Sequence, residues 1–384
     1  MFIEDMGNNM TKKVLITATV LSHIAQFHRP LGELLHNSGY EVHVAGNDNL
    51  ALKNGLKIDW ADKVFNIPFA RSPKSPDNLK AYSQLKKVID SEGYEFIHCN
   101  TPMGGIVTRL AARTARKNGC TVIYTAHGFH FHKRASKLAW LVYYPIEKWF
   151  AKFTDKLITI NHEDFALATS RFKCNTFYTH GVGVNANRYL PLGSEEERLS
   201  ICSELGIEPN RKVILSVGEL LPNKNHKMII NAMKSIVAKI PDALLIIAGN
   251  GPLKEELERL VKINGLDNNI KLIGYCTTLE KYQKIASVLA ACSYREGLPL
   301  NLVEAMLAKN PVVASHNRGH DELIQDKKTG FLVEPDDSES MANKIILLLN
   351  DGALRQVFGE RAHQFAVDYS FDNVKKELKE VYGI

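Results

Sequence analysis

The chain runs to 384 residues, 45% hydrophobic and 23% charged, with a formal net charge of +6; it is long enough for two domains with separate cores and ordinary in composition for a soluble globular protein. No apolar run approaches the roughly 20 residues of a membrane span, and the N-terminus lacks the basic, apolar, small order of a signal peptide, so a cytosolic product is expected. Six scattered cysteines, Cys99, Cys120, Cys174, Cys202, Cys276 and Cys292, contain no C-x-x-C pair and indicate neither a zinc site nor a disulfide framework.

Residues 1–11 carry no periodic pattern and are expected to be a disordered extension, with the fold beginning at Lys12. Val14–Val20 is a continuous apolar, β-branched run of strand length; a helical stretch Pro30–Asn37 and a second strand, Tyr40–Ala45, follow. Strand, helix, strand at this spacing predicts a βαβ unit of a parallel sheet. The loop expected at the first strand's end, Leu21–His28, is where open α/β sheets hold ligands, and it carries His23 and His28. Helices at about 77–92, 106–117, 138–152 and 162–171 alternate with strands Phe96–Cys99, Thr121–Thr125 and Lys156–Ile160, which predicts a doubly wound sheet. No GxGxxG follows the first strand, which argues against a nicotinamide-dependent dehydrogenase.

Thr125-Ala-His-Gly-Phe-His-Phe-His132 puts His127 at a sheet's carboxyl edge with His130 and His132 beyond. The i, i+3, i+5 spacing matches no metal-ligand pattern, no cysteine or carboxylate accompanies it, and no metal site is expected there. In the next helix Leu138, Leu141, Val142, Ile146, Trp149 and Phe153 fall on one face, ringed by Lys133, Arg134, Lys137, Lys148 and Lys152. Such a pattern fits an interfacial helix and equally a core helix with a solvated face. Charge asymmetry favours the former: residues 1–185 hold 23 Lys and Arg against 15 Asp and Glu, the remainder 25 against 27. A basic first half suits nucleic acid or an anionic membrane surface. Without aromatic–basic interleaving, nucleic acid is not expected and the membrane surface is.

Thr179–Leu192, rich in Gly, Asn and Pro, reads as an interdomain hinge, after which the βα alternation restarts at Lys212–Val217. Ser216-Val-Gly-Glu-Leu-Leu-Pro-Asn-Lys-Asn-His226 follows that strand and opens a helix. Leu244–Pro252 is a buried strand ending in a turn whose Gly249 and Gly251 either let a backbone approach a nucleotide or simply make the turn. Lys271–Cys276 is another strand and glycine turn, and Val312–Ser315 and Gly330–Val333 complete the strands. In Tyr294-Arg-Glu-Gly-Leu-Pro-Leu-Asn-Leu-Val-Glu-Ala-Met306, Glu296 and Glu304 stand across a Gly297-Leu298-Pro299 turn that leads into a helix, with Pro299 expected in its first turn. Unpaired N–H groups at such a helix start bind anions, phosphate especially, and the two carboxylates could accept from sugar hydroxyls on either side of a bound diphosphate. Both are also simply acids near a helix start, where the macrodipole favours them.

The 294–306 string, with 216–226 and 247–252, resembles glycosyltransferase family 4, retaining enzymes of the GT-B fold: two Rossmann-like α/β/α domains facing across a cleft. The resemblance covers nearly the whole chain past residue 11 and implies an acceptor-binding domain over 12–183, a nucleotide-sugar domain over 184–370 and a last helix, 371–384, crossing back to the first domain. It implies that His127 contacts the donor sugar or reaction centre, that Lys224 neutralises the donor diphosphate, that Glu296 holds donor-sugar hydroxyls and that Glu304 holds the ribose. Tyr275 and Cys276 are expected to bracket the base, and Gly218, Gly249, Gly251, Gly297, Leu298 and Pro299 to border the donor. The family's arginine after Gly218 is replaced by Glu219, a carboxylate that repels a diphosphate; Glu219 then turns to an acceptor-side or structural role, or Arg295 supplies the missing cation. The family's glycine pair is absent from the first loop, leaving His23 and His28 as acceptor-side candidates.

Several stretches resemble the subgroup that assembles bacterial exopolysaccharide or capsule repeat units. The implied reaction moves a hexose or N-acetylhexosamine from a UDP-sugar to a polyprenyl-diphosphate-linked sugar with retention, without metal or cofactor, at the inner face of the cell membrane. Two alternatives stand beside it: a UDP-sugar epimerase of the same fold, and a non-catalytic partner subunit that binds donor or lipid.

Overall fold

The computed structural model describes residues 11–53 and 55–384. The expected extension, residues 1–11, lies outside the described residues apart from Thr11, and the first strand starts at Lys12. Residues up to Val182 together with Val374–Ile384 make one compact unit, and Gly183–Asn373 make the other.

In the first unit the apolar run becomes β1 (Lys12–Val20), followed in chain order by β2 (Tyr40–Asn47), β3 (Lys63–Asn66), β4 (Phe96–Asn100), β5 (Thr121–Ala126), β6 (Lys156–Thr159) and β7 (Asn175–Tyr178). They pair in the order β3-β2-β1-β4-β5-β6-β7, every pair parallel. A parallel sheet is covered on both faces, so its central strands are apolar throughout rather than alternating. In β1, Val14, Ile16 and Ala18 pack with Val374, Leu378, Val381 and Tyr382 of the C-terminal helix Phe371–Tyr382, while Leu15 faces Leu85 and Ile89 on the other side.

The second unit repeats the plan with β8 (Lys212–Val217), β9 (Ala243–Ala248), β10 (Ile270–Gly274), β11 (Ala286–Ala291), β12 (Val312–Ser315) and β13 (Gly330–Val333), ordered β10-β9-β8-β11-β12-β13 and again all parallel. Leu245 and Ile247 of β9 enter the core on one face, Leu244 and Ile246 that on the other. The helix leading into this unit, Glu195–Leu205, shows local chemistry agreeing with the global fold. The Ser194 hydroxyl accepts from Glu197 N at 3.2 Å, three glutamates occupy the first turn where the helix dipole favours them, and Gly206 at φ 61° ends it.

Three sequence expectations are corrected. Leu21–Phe27 is a helix rather than a loop, because Leu21 and Ile24 are buried and no breaker intervenes before the His28 N–H closes on the Ile24 carbonyl. The helix expected over 106–117 starts at Pro102, which suits a first turn, and is divided at Ala112. Pro299 is the N-cap of the helix Leu300–Leu307 rather than a residue of its first turn.

Candidate active site

In each sheet the order reverses beside the first strand, and loops leaving the carboxyl ends of the two strands that flank the reversal diverge to form a ligand crevice. In the second unit those strands are β8 and β11, and their loops carry Lys224 and Glu296. A single 3-10 turn, Pro222–Lys224, and a left-handed Asn225 (φ 49°) bring the β8 loop round to the helix His226–Lys239. Asn223 ties this loop to the next: its carbonyl accepts from Tyr294 N at 2.8 Å and its side-chain amide donates to the Arg295 carbonyl at 2.9 Å. Asp336 accepts from the Tyr294 hydroxyl at 2.6 Å and from the Asn225 amide at 3.0 Å. Held in this way, Lys224 Nζ donates to Glu296 Oε1 at 2.6 Å, both side chains largely sequestered. The two residues are 72 positions apart in sequence.

Glycines make the close approach possible. A Cβ on Gly249 (φ 150°) would lie 1.9 Å from the Gly218 carbonyl oxygen, and one on Gly251 would lie 2.5 Å from that of Leu220. Both glycines therefore let two protein backbones touch. Gly218 leaves room for the aliphatic stem of Lys224. A Cβ on Gly319, in the helix Arg318–Leu323, would meet Glu296 Cβ at 2.8 Å and the Gly297 carbonyl at 3.0 Å, so that helix supports the acidic loop from beneath. His226 and His320 line, together with Lys224 and Glu296, a cavity of about 10 Å³. Burial holds both imidazoles neutral, lowered to about 4. Their Nε2 atoms have no hydrogen-bond partner.

Glu304 lies one turn into the helix that follows. Burial raises its carboxyl to about 7, against the lowering influence of the Tyr189 hydroxyl and the Arg188 guanidinium. Glu219 and Arg295 are exposed on the loops that hold Lys224 and Glu296. Gly297 and the partly buried Leu298 complete the turn before Pro299. Tyr275, half exposed, and Cys276, whose thiol lies 3.7 Å from the Thr278 hydroxyl, follow β10 at the same edge of the sheet. Sequence reasoning did not single out Asn223, Asp336, Tyr189, Gly319, His226 or His320 as site residues. Of these, Asn223 and His226 carried a signal, as members of the 216–226 string.

In the first unit the corresponding edge is built of histidine. His23 sits on the helix Leu21–Phe27, His28 between that helix and the next, and His127 directly after β5. Their rings pack within 4.9 to 6.1 Å, centroid to centroid. His130 is instead stacked on Tyr143, with ring centroids 4.6 Å apart, and the His132 carbonyl accepts from the Trp140 indole. The basic amphipathic helix is Lys137–Phe150. Its apolar face points outward: Leu138 is 68% exposed, Leu141 74% and Trp149 46%. The opposite face is anchored by Glu147, which accepts from Arg109 at 3.1 Å. The Arg109 guanidinium is buried and lies 3.9 Å from the Tyr124 ring centroid.

Residues 198–365 match the family model "Glycosyl transferases group 1" and residues 29–175 the model "Glycosyltransferase Family 4". Over 97% of both chains the sequence is 40% identical to EpsD of Bacillus subtilis (strain 168), whose name places it provisionally among glycosyltransferases. It is 27% identical to the Escherichia coli UDP-Gal:alpha-D-GlcNAc-diphosphoundecaprenol alpha-1,3-galactosyltransferase, over 91% of this chain and 90% of that one. In fold it is similar to Anabaena HepE solved in complex with UDP and glucose, with a TM-score of 0.76 and 20% identity over 97% of this chain and 99% of that one.

Proposed function

The chain belongs to glycosyltransferase family 4 and has the GT-B fold, and from that premise we propose that it is a retaining hexosyltransferase. It transfers a hexose or N-acetylhexosamine from a UDP-sugar to a sugar carried on a polyprenyl diphosphate, in the assembly of exopolysaccharide, capsule or a related surface glycan. The UDP donor is supported by the HepE complex, and the lipid-linked acceptor by the name of the Escherichia coli relative.

The observation that carries the proposal is the Lys224–Glu296 pair at the switch point of the second sheet, immediately before the helix Leu300–Leu307. A diphosphate set against the unpaired N–H groups of that helix draws the Lys224 ammonium, and the Glu296 carboxylate is then open to donor-sugar hydroxyls. As the bond from the anomeric carbon to the phosphate oxygen lengthens, negative charge grows on the diphosphate, where Lys224, Arg295 and the helix start stabilise it. The acceptor oxygen bonds to the anomeric carbon on the face the diphosphate leaves, and the leaving phosphate oxygen takes that hydroxyl's proton. Glu304 holds the ribose and His127 the donor sugar, and Glu219, His23 and His28 serve the acceptor side. Charge neutralisation by these groups lets the reaction run without a catalytic metal.

Among the described residues no helix is long and apolar enough to cross a membrane. We extend the proposal to a cytoplasmic protein held peripherally on an anionic membrane surface. Leu138, Leu141 and Trp149 dip below the headgroups, and Lys137, Lys148 and Lys152 meet them.

The test is to incubate the protein with UDP- and GDP-sugars and polyprenyl-diphosphate-linked sugars, following nucleotide release and glycolipid mass together. Release with a matching mass gain, lost in Glu296→Ala and Lys224→Ala, is expected. Donor binding without turnover on any acceptor would overturn the transferase in favour of a partner subunit, and release of a free altered nucleotide sugar in favour of an epimerase.

A further inference from the structure

The three histidines at the edge of the first sheet have chemistry left over. His28 is 3% exposed, and the Nε2 atoms of both His23 and His28 are buried with no hydrogen-bond partner. Buried polar atoms are seldom left in that state; protein, water or a bound ion usually satisfies them. Their neighbour His98 shows the contrast: its two ring nitrogens lie 2.8 Å from the Tyr382 hydroxyl and 2.7 Å from the Thr125 hydroxyl, and it has nothing further to offer. His127 is oriented from behind, its Nε2 3.0 Å from Asn100 Oδ1, while the Asn100 amide donates to the Thr17 carbonyl at 3.3 Å. An oriented imidazole backed by a fixed oxygen is the usual setting of a metal-binding histidine.

We propose that His23, His28 and His127 bind one transition-metal dication, preferentially Zn²⁺. One ring nitrogen from each of the three lies within 4.8 Å of the others. Three imidazoles on a tetrahedral zinc stand roughly 3.3 Å apart, nitrogen to nitrogen, so the rings must draw together on binding. Burial keeps all three imidazoles neutral, with lone pairs in place of protons. An all-nitrogen set selects zinc, copper or nickel over magnesium and calcium, and three protein ligands leave a fourth position for an oxygen donor. The Arg71 guanidinium acts on His23, and it opposes a dication in the same sense that it opposes a proton. On the proposed function, a metal held here would take His127 from the donor sugar and His23 and His28 from the acceptor, so bound Zn²⁺ blocks transfer rather than assisting it. The site lies in the first unit and needs neither Lys224 nor Glu296.

The test uses the full chain, stripped with EDTA and dialysed, then titrated with ZnCl₂ by calorimetry and by competition with a chromophoric indicator, with MgCl₂ in parallel. One Zn²⁺ per chain is expected, with Kd of about 1 µM or below, and no Mg²⁺ binding. Co²⁺ should give the visible absorption of a four-coordinate nitrogen site. Both signals should fall at least about 10-fold in affinity in His23→Gln and in His28→Ala and persist in His36→Ala and His132→Ala. Circular dichroism identifies any variant that fails to fold; His23→Gln, the substitution closest in size and polarity, then carries the test. No zinc binding to the native chain, or zinc and cobalt binding unchanged in a folded His23→Gln, would overturn the proposal and leave these rings as hydrogen-bonding groups for sugar hydroxyls.

Discussion

Replacing Glu304 by glutamine keeps the shape of a recessed side chain and removes its titration. Between pH 4.5 and about 7 the folded protein holds a proton on Glu304 that the unfolded chain has released. Unfolding free energy from this group therefore falls as pH rises through that window. At roughly 1.4 kcal/mol per pH unit, the stabilisation fully present below pH 4.5 and lost above about 7 amounts to about 3 kcal/mol. The buried His226 and His320 act in the opposite sense: with folded values lowered to about 4, their contribution is present above 6.5 and lost as pH falls towards 4. The difference between wild type and Glu304→Gln isolates the carboxyl. The three tryptophans, Trp60, Trp140 and Trp149, all belong to the first unit, so urea unfolding should be followed by far-UV circular dichroism. Between pH 5 and pH 8 the variant should gain about 3 kcal/mol on the wild type. Stability curves that run parallel across this range would refute the burial argument.

Glu147→Ala leaves the Arg109 guanidinium buried without its carboxylate and should cost about 3–5 kcal/mol in urea unfolding read by tryptophan fluorescence; adding Arg109→Met should recover most of that loss. Gly319→Ala presses a methyl group onto Glu296 and the Gly297 carbonyl and should lower kcat/KM roughly 10-fold, about 1.4 kcal/mol in transition-state binding, in steady-state assays with the donor found above. Leu138→Asp combined with Leu141→Asp, on an exposed face, should leave the thermal midpoint unchanged while abolishing co-sedimentation with vesicles containing anionic lipid.

What could be read in the sequence followed the strength of local pattern. The runs that became β1, β8 and β9 are apolar on both faces and bounded by turns, so they stood out. Lys63–Asn66 and Asn175–Tyr178 escaped notice because they are four-residue edge strands, largely without buried side chains. Ala286–Ala291 escaped because half its residues are alanine, which carries little strand signal. Leu21–Phe27 was mistaken for loop because sheet ligands lie after first strands, although its Leu21 and Ile24 sit at helical spacing. In the candidate site, the 294–306 string announced Glu296 and Glu304 by local order. The Lys224–Glu296 contact and the support from Gly319 and Asp336 join distant segments, and only the strand order brings them together.

The chain leaves the first unit at Val182 and returns to it at Val374. On the ribosome, the first half must therefore wait to be completed: the core around Val14, Ile16 and Phe96 lacks Val374, Leu378 and Val381, and His98 lacks the Tyr382 hydroxyl, until the C-terminal helix has been made. The intervening unit is contiguous and can close first, reversing the usual N-terminal-first order of synthesis and folding. A nascent chain stalled just short of Val374 would carry a finished second half and an open apolar seam on the first. That seam is where a chaperone would be engaged, and where a premature stop codon would do its damage.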